Sequence, residues 1–111
     1  MDERIKTLAK NLVNYSCRVK AGDKVYINYT GPSTEDLARQ LVKEVYAAGG
    51  LPFVHYINPK VQREVLLNCT EEQIRIMADL AAQEMSQMDC YIGVRGSDNV
   101  SELSDVPADK M

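Results

Sequence analysis

The stretch Val19-Lys20-Ala21-Gly22-Asp23-Lys24-Val25-Tyr26-Ile27-Asn28-Tyr29-Thr30-Gly31-Pro32-Ser33-Thr34, continued through Ile57, decides the fold. Val25, Ile27 and Tyr29 alternate with Tyr26 and Asn28 in a run rich in β-branched and aromatic residues, which predicts a strand. Gly22-Asp23 ahead of it is turn chemistry. Gly31-Pro32-Ser33-Thr34 ends the strand and opens a helix, with Ser33 as the expected N-cap and Glu35 and Asp36 facing the positive end of the helix dipole. Leu37, Leu41, Val42, Val45 and Ala48 form one apolar stripe, and Gly49-Gly50 terminates it. Leu51 to Ile57 is a nearly continuous apolar run, broken by Pro52 and His55, and reads as a buried parallel strand. A strand, a crossover helix and a second strand define a parallel unit of one hand.

Outward from this unit the pattern repeats. Residues 2–17 read as an amphipathic helix with Ile5, Leu8, Ala9, Leu12 and Val13 on one side. Asn58-Pro59 is a turn, followed by a short helix over 60–68 with Val61, Val65 and Leu66 inward. Thr70-Glu71-Glu72-Gln73 has the capping-box form and opens a helix to about Gln87, with Ile74, Met77, Ala78, Ala81 and Met85 on one face. Asp89 to Arg95 is a third strand and Gly96-Ser97-Asp98-Asn99 a turn after it. Beyond Val100 the pattern fades, although Pro107 has the place of a first helical residue. The expected class is α/β, an open and mostly parallel Rossmann-like or flavodoxin-like sheet with helices on both faces. Three strands are few for such a sheet, so the expectation is one truncated domain over 1–111.

Composition excludes several function classes. The chain has 111 residues, 45% of them apolar and 26% charged, with a net charge of −3. This is ordinary for one globular domain. No basic stripe with interleaved aromatics supports nucleic-acid binding. No apolar run is long enough to span a bilayer, and Met1-Asp2-Glu3-Arg4 is not a signal peptide. Cys17, Cys69 and Cys90 are odd in number and form no CxxC, which predicts reduced thiols in a cytoplasmic protein.

Chemistry-bearing residues are sparse. His55 is the sole histidine and sits within a strand, so it reads as a sheet-face residue more readily than as a base. It has neither HExxH spacing nor paired cysteines around it to make a zinc site. Glu71, Glu72 and Glu84 read as helix surface or cap residues. Open α/β sheets bind ligands at the carboxyl ends of their strands, which leaves two candidate loops. Tyr29 to Thr34 has a helix N-terminus but one glycine, matching neither GxGxxG nor a phosphate loop, and a plain capped turn competes with an anion site. Gly93 to Asn99 carries Arg95, Asp98 and Asn99, either as contacts for a ligand or domain or as an exposed turn. The residues alone thus predict an α/β domain with no catalytic, cofactor or metal residue of its own.

The order of motifs resembles the amino-terminal domain of the aminopeptidase T-like family of thermophilic metallo-aminopeptidases, which includes aminopeptidase S. Tyr15-Ser16-Cys17-Arg18-Val19-Lys20-Ala21-Gly22-Asp23-Lys24-Val25 is similar to the family's helix followed by V-x-x-G-[DE]-x-V. Leu37 to Gly50, with Tyr46-Ala47-Ala48-Gly49-Gly50 at its end, resembles the second helix and its A-x-x-A-G-[AG] ending. Leu51-Pro52-Phe53-Val54 resembles the strand that follows. Met88 to Asn99, with Leu103-Ser104-Asp105-Val106-Pro107, is similar to the third strand and the loop beyond it. The resemblance implies a cytoplasmic, homodimeric exopeptidase that removes amino-terminal residues from peptides. It also implies two divalent metals (zinc, cobalt or manganese) held by Glu, His and Asp of a following catalytic domain. Residues 1–111 would then be inactive alone, with Thr30, Gly31, Ser33, Arg95, Asp98 and Asn99 as candidate contacts to the catalytic domain or substrate cavity. A stand-alone interaction or small-anion-binding module is the alternative expectation.

Overall fold

The computed structural model describes residues 2–96. Helix α1 (Glu3–Asn11) continues as a π-helical turn (Leu12–Ser16) into β1 (Lys24–Thr30). A 3-10 turn (Pro32–Thr34) leads into α2 (Glu35–Ala47), followed by β2 (Leu51–Ile57), α3 (Pro59–Asn68), α4 (Glu71–Met85) and β3 (Cys90–Arg95). The strands form one parallel sheet in the order β2-β1-β3. The α/β class and the parallel sheet are as the sequence predicts.

Strand alternation divides the sheet into two faces. Val25 and Ile27 of β1 and Ile92 of β3 point to the first face, where Ala9 of α1, Val13 of the π-helical turn, and Leu41 and Val45 of α2 join them in one buried cluster. Ile27, Leu41, Val13, Val25 and Val45 are its largest fully buried side chains. Burying each one stabilises the fold by about 1.5–3 kcal/mol. The predicted α2 stripe is this contact: Leu37, Val42 and Ala48 pack partly buried around Leu41 and Val45. The helix ends in a Schellman pair, with Gly50 N–H donating to Val45 O (2.9 Å) and Gly49 N–H to Tyr46 O (3.0 Å).

Three expectations need correction. First, β2 is an edge strand among the described residues, with Phe53 40% and Val54 43% exposed. An apolar run specifies a strand, but burial depends on what flanks it, and here only β1 does. Second, the apolar stripes of α3 and α4 are present but uncovered. Val61, Val65, Leu66, Ile74 and Met77 are all exposed, Val61 at 61%. Their start signals nonetheless work as read. Asn58 Oδ1 accepts from Lys60 N–H (3.0 Å), and Thr70 Oγ1 accepts from Gln73 N–H (3.1 Å). Third, Cys17 and Cys90 are joined in a disulfide while Cys69 is free. The π-helical turn delivers Cys17, and the register Val25↔Cys90 puts Cys90 on the face it approaches. Their Cα atoms lie 6.2 Å apart, within bridging range. Spacing in sequence could not reveal a pair separated by 73 residues.

Candidate functional site at the carboxyl ends of the strands

From β1 the chain runs to β2 on one side and eventually to β3 on the other, so the topological switch point lies beyond the carboxyl ends of β1 and β3. Of the six predicted contact residues, Thr30, Gly31, Ser33 and Arg95 lie there. Thr30 and Arg95 are register partners at the ends of their strands. Gly96 N–H donates to Thr30 O (2.8 Å), and Gly31 N–H donates to Ile57 O (3.3 Å) at the end of β2. The first βα loop therefore touches the ends of all three strands. Asp98 and Asn99 lie outside the described residues.

Two glycines allow this closeness. Gly31 has φ 84° and ψ 154°, a region that is essentially restricted to glycine. A Cβ on Gly31 would stand 3.1 Å from Gly96 O. A Cβ on Gly96 would collide with Ser33 Oγ, and would lie 2.7 Å from Thr34 Cγ2 and 3.0 Å from Thr30 O. Ser33 and Gly96 are thus in van der Waals proximity across the switch point.

The helix start differs from the expected one. Ser33 lies within the 3-10 turn, and the N-cap of α2 is Thr34, which makes no capping bond to the helix. Thr34 is 5% exposed. Its hydroxyl turns back to donate to Gly31 O (2.9 Å), with Thr30 O at 3.3 Å. It closes the loop on itself. Glu35 and Asp36 occupy the first turn of α2, so the helix dipole is already met by carboxylates and an added anion would be repelled. The rim offers the Ser33 hydroxyl and the Arg95 guanidinium as polar contact groups, both on exposed residues.

A second group of polar side chains lies on the opposite sheet face. His55 Nε2 and Glu84 Oε2 of α4 are 2.7 Å apart. The His55 ring stacks on Tyr26 (centroids 5.0 Å), and Tyr26 stacks on Tyr91 (5.4 Å). His55 is therefore the sheet-face histidine expected, whereas Glu84 is a bonded partner of the strand. No periodicity signals a contact between residues 29 apart. Burial raises the Tyr26 phenol above its ordinary pKa, and the nearby Glu84 and Tyr91 push the same way, against a hydrogen bond from Asn28.

No group of three or more His, Cys, Asp or Glu side chains converges to hold a metal among the described residues. Among the same residues, no helix is long and apolar enough to cross a membrane.

The profile of the thermophilic metalloprotease (M29) family matches residues 1–111, the whole chain. The chain belongs to the M29 family. No curated protein sequence matches it. Among solved structures it is similar to wild-type AmpT from Thermus thermophilus, with a TM-score of 0.65 and 22% identity. The likeness covers 97% of this chain and 28% of AmpT, so this M29 chain spans little more than a quarter of its structural relative.

Proposed function

We propose that residues 1–111 are the amino-terminal domain of a metal-dependent aminopeptidase that removes amino-terminal residues from peptides. The observation that carries this reading is the M29 match over the entire chain. The short coverage of AmpT supports the domain assignment. In this reading the metal ligands and the catalytic carboxylate belong to a following domain, and the complete enzyme uses two divalent ions, zinc, cobalt or manganese. It acts in the cytoplasm as a homodimer. The contribution of this domain is to pack against the catalytic domain and wall part of its substrate cavity. Thr30, Gly31, Ser33 and Arg95, with Asp98 and Asn99, are the proposed contacts. The anion-binding alternative is disfavoured by Glu35 and Asp36 beside the α2 N-terminus.

The test compares the complete gene product with the 111-residue chain. Both are stripped of metal by chelation, reloaded with zinc, cobalt or manganese, and assayed on amino-acid p-nitroanilides and on blocked peptides. Hydrolysis of free-amino substrates alone, by the complete product alone, is the expected result. Hydrolysis by the 111-residue chain, or none by the complete product with any of the three metals, refutes the proposal.

A further inference from the structure

Gly31 is the one residue between β1 and the 3-10 turn, and it is held from two sides. Its N–H donates to Ile57 O (3.3 Å) at the end of β2. Its carbonyl accepts from the Thr34 hydroxyl at 2.9 Å, with the Thr34 N–H at 3.4 Å. Pro32 follows with a fixed φ and no N–H of its own. The loop from Gly31 to Thr34 is thus closed by a side chain as well as by backbone.

Thr34 is buried, and a buried hydroxyl needs a partner. It makes no capping bond to α2, so its donor goes to Gly31 O. The closure carries Ser33, which is exposed, over Gly96. A Cβ on Gly96 would collide with Ser33 Oγ and would stand 2.7 Å from Thr34 Cγ2. The Ser33 hydroxyl and the Thr34 methyl therefore both lie against the residue that follows Arg95. Ser33 and Arg95 are exposed at the rim, whereas Thr34 lies beneath it.

We propose that Thr34 is a positioning residue of the complete enzyme. Its hydroxyl, bonded to Gly31 O, fixes the loop that presents Ser33 beside Arg95, and substrate affinity depends on that bond although Thr34 touches no substrate. The inference rests on the reading of this rim as a wall of the substrate cavity, and it names the buried group that sets the rim's shape. Without the bond, the Gly31 carbonyl loses its side-chain tie and Ser33 can leave the rim. A contact remote from the reacting bond holds substrate and transition state alike, so its loss raises KM and leaves kcat in place.

The test is steady-state kinetics of the complete, metal-loaded gene product on a tripeptide with a free amino terminus. Thr34→Val keeps the volume and removes the hydroxyl, and Thr34→Ser keeps the hydroxyl and removes the methyl. T34V is expected to raise KM about 3–10-fold, the contribution of one hydrogen bond. Its kcat is expected to stay within about twofold of the parent, and T34S is expected to keep KM within the same margin. An unmoved KM in T34V overturns the inference. So does an equal rise in T34S, since methyl packing would then be the cause, and so does a fall in kcat that accounts for the whole fall in kcat/KM. If T34V does not fold, Thr34→Ala takes its place with the same expectations, and failure of both to fold makes Thr34 a residue of stability alone and overturns the proposal. A parent inactive with zinc, cobalt and manganese sinks the aminopeptidase reading and this inference with it, whereas an active parent with an unmoved KM in T34V sinks this inference alone.

Discussion

Replacing Gly31 by alanine probes the switch point directly. At φ 84° and ψ 154° an L-residue carries roughly 1–3 kcal/mol of backbone strain. The new methyl would also sit 3.1 Å from Gly96 O. That oxygen is main chain, and Gly96 is tied to Thr30 by its own N–H, so relief requires the β3 end to move. Opposing this, alanine lowers the entropy of the unfolded chain and returns about 0.4–1 kcal/mol. The net expectation is a loss of about 1–3 kcal/mol. For a urea slope of roughly 1–3 kcal/mol/M, the denaturation midpoint falls by about 1 M. The measurement is a urea titration followed by far-UV circular dichroism, with Gly22→Ala as the control. Gly22 also has a positive φ, but a Cβ there meets nothing within 4 Å, so its loss should be smaller. An unchanged or higher midpoint for G31A would refute the geometry of the loop. Equal losses in the two variants would remove the Gly96 contact from the account.

Further outcomes follow from other parts of the fold. Leu41→Ala empties a fully buried site between α2 and β1 and should cost about 2.7–5 kcal/mol, read from the same titration. Ile76→Ala, at an exposed position of α4, should stay within about 0.5 kcal/mol in the 111-residue chain. Cys17→Ser opens a covalent loop closing 73 residues and should cost about 4 kcal/mol relative to the oxidised protein, a difference that a reductant abolishes. If thiol counting on the unfolded, unreduced chain finds three free thiols, the bond is absent. Tyr26 has a raised pKa in the folded state, so the unfolded chain loses this proton first as pH rises. Its stabilising contribution is present below about pH 10 and is lost above it, as the folded group titrates. Tyr26→Phe should flatten the decline in thermal midpoint above pH 10; an identical decline in both proteins counts against the assignment.

Much of the fold was legible because the relevant physics is local. Val25 to Tyr29 alternates with the period of a strand, Leu37 to Ala48 with that of a helix, and Asn58 and Thr70 cap helices through atoms three or fewer residues away. The site was partly legible for the same reason: a loop between a strand end and a helix start is visible as Gly31-Pro32-Ser33-Thr34. Which hydroxyl matters was not. Ser33 has the better capping chemistry on paper, but the 3-10 turn moves the helix start to Glu35 and turns Thr34 inward. The Thr34 hydroxyl is then spent on Gly31 O within the loop.

By itself, the sequence determined an α/β chain, its element order, the face of α2 that forms the core, and the family likeness; of the stripe expected on the first helix, Ala9, Leu12 and Val13 join the core while Leu8 is exposed. Only the tertiary structure decided that β1 is central and β2 an edge, and that Cys17 meets Cys90. It alone joined His55 to Glu84 and brought Thr30, Gly31, Ser33 and Arg95 to one rim. Periodicity reports which side of an element is apolar. Strand order and register, which set what that side meets, arise from contacts between residues far apart in the chain.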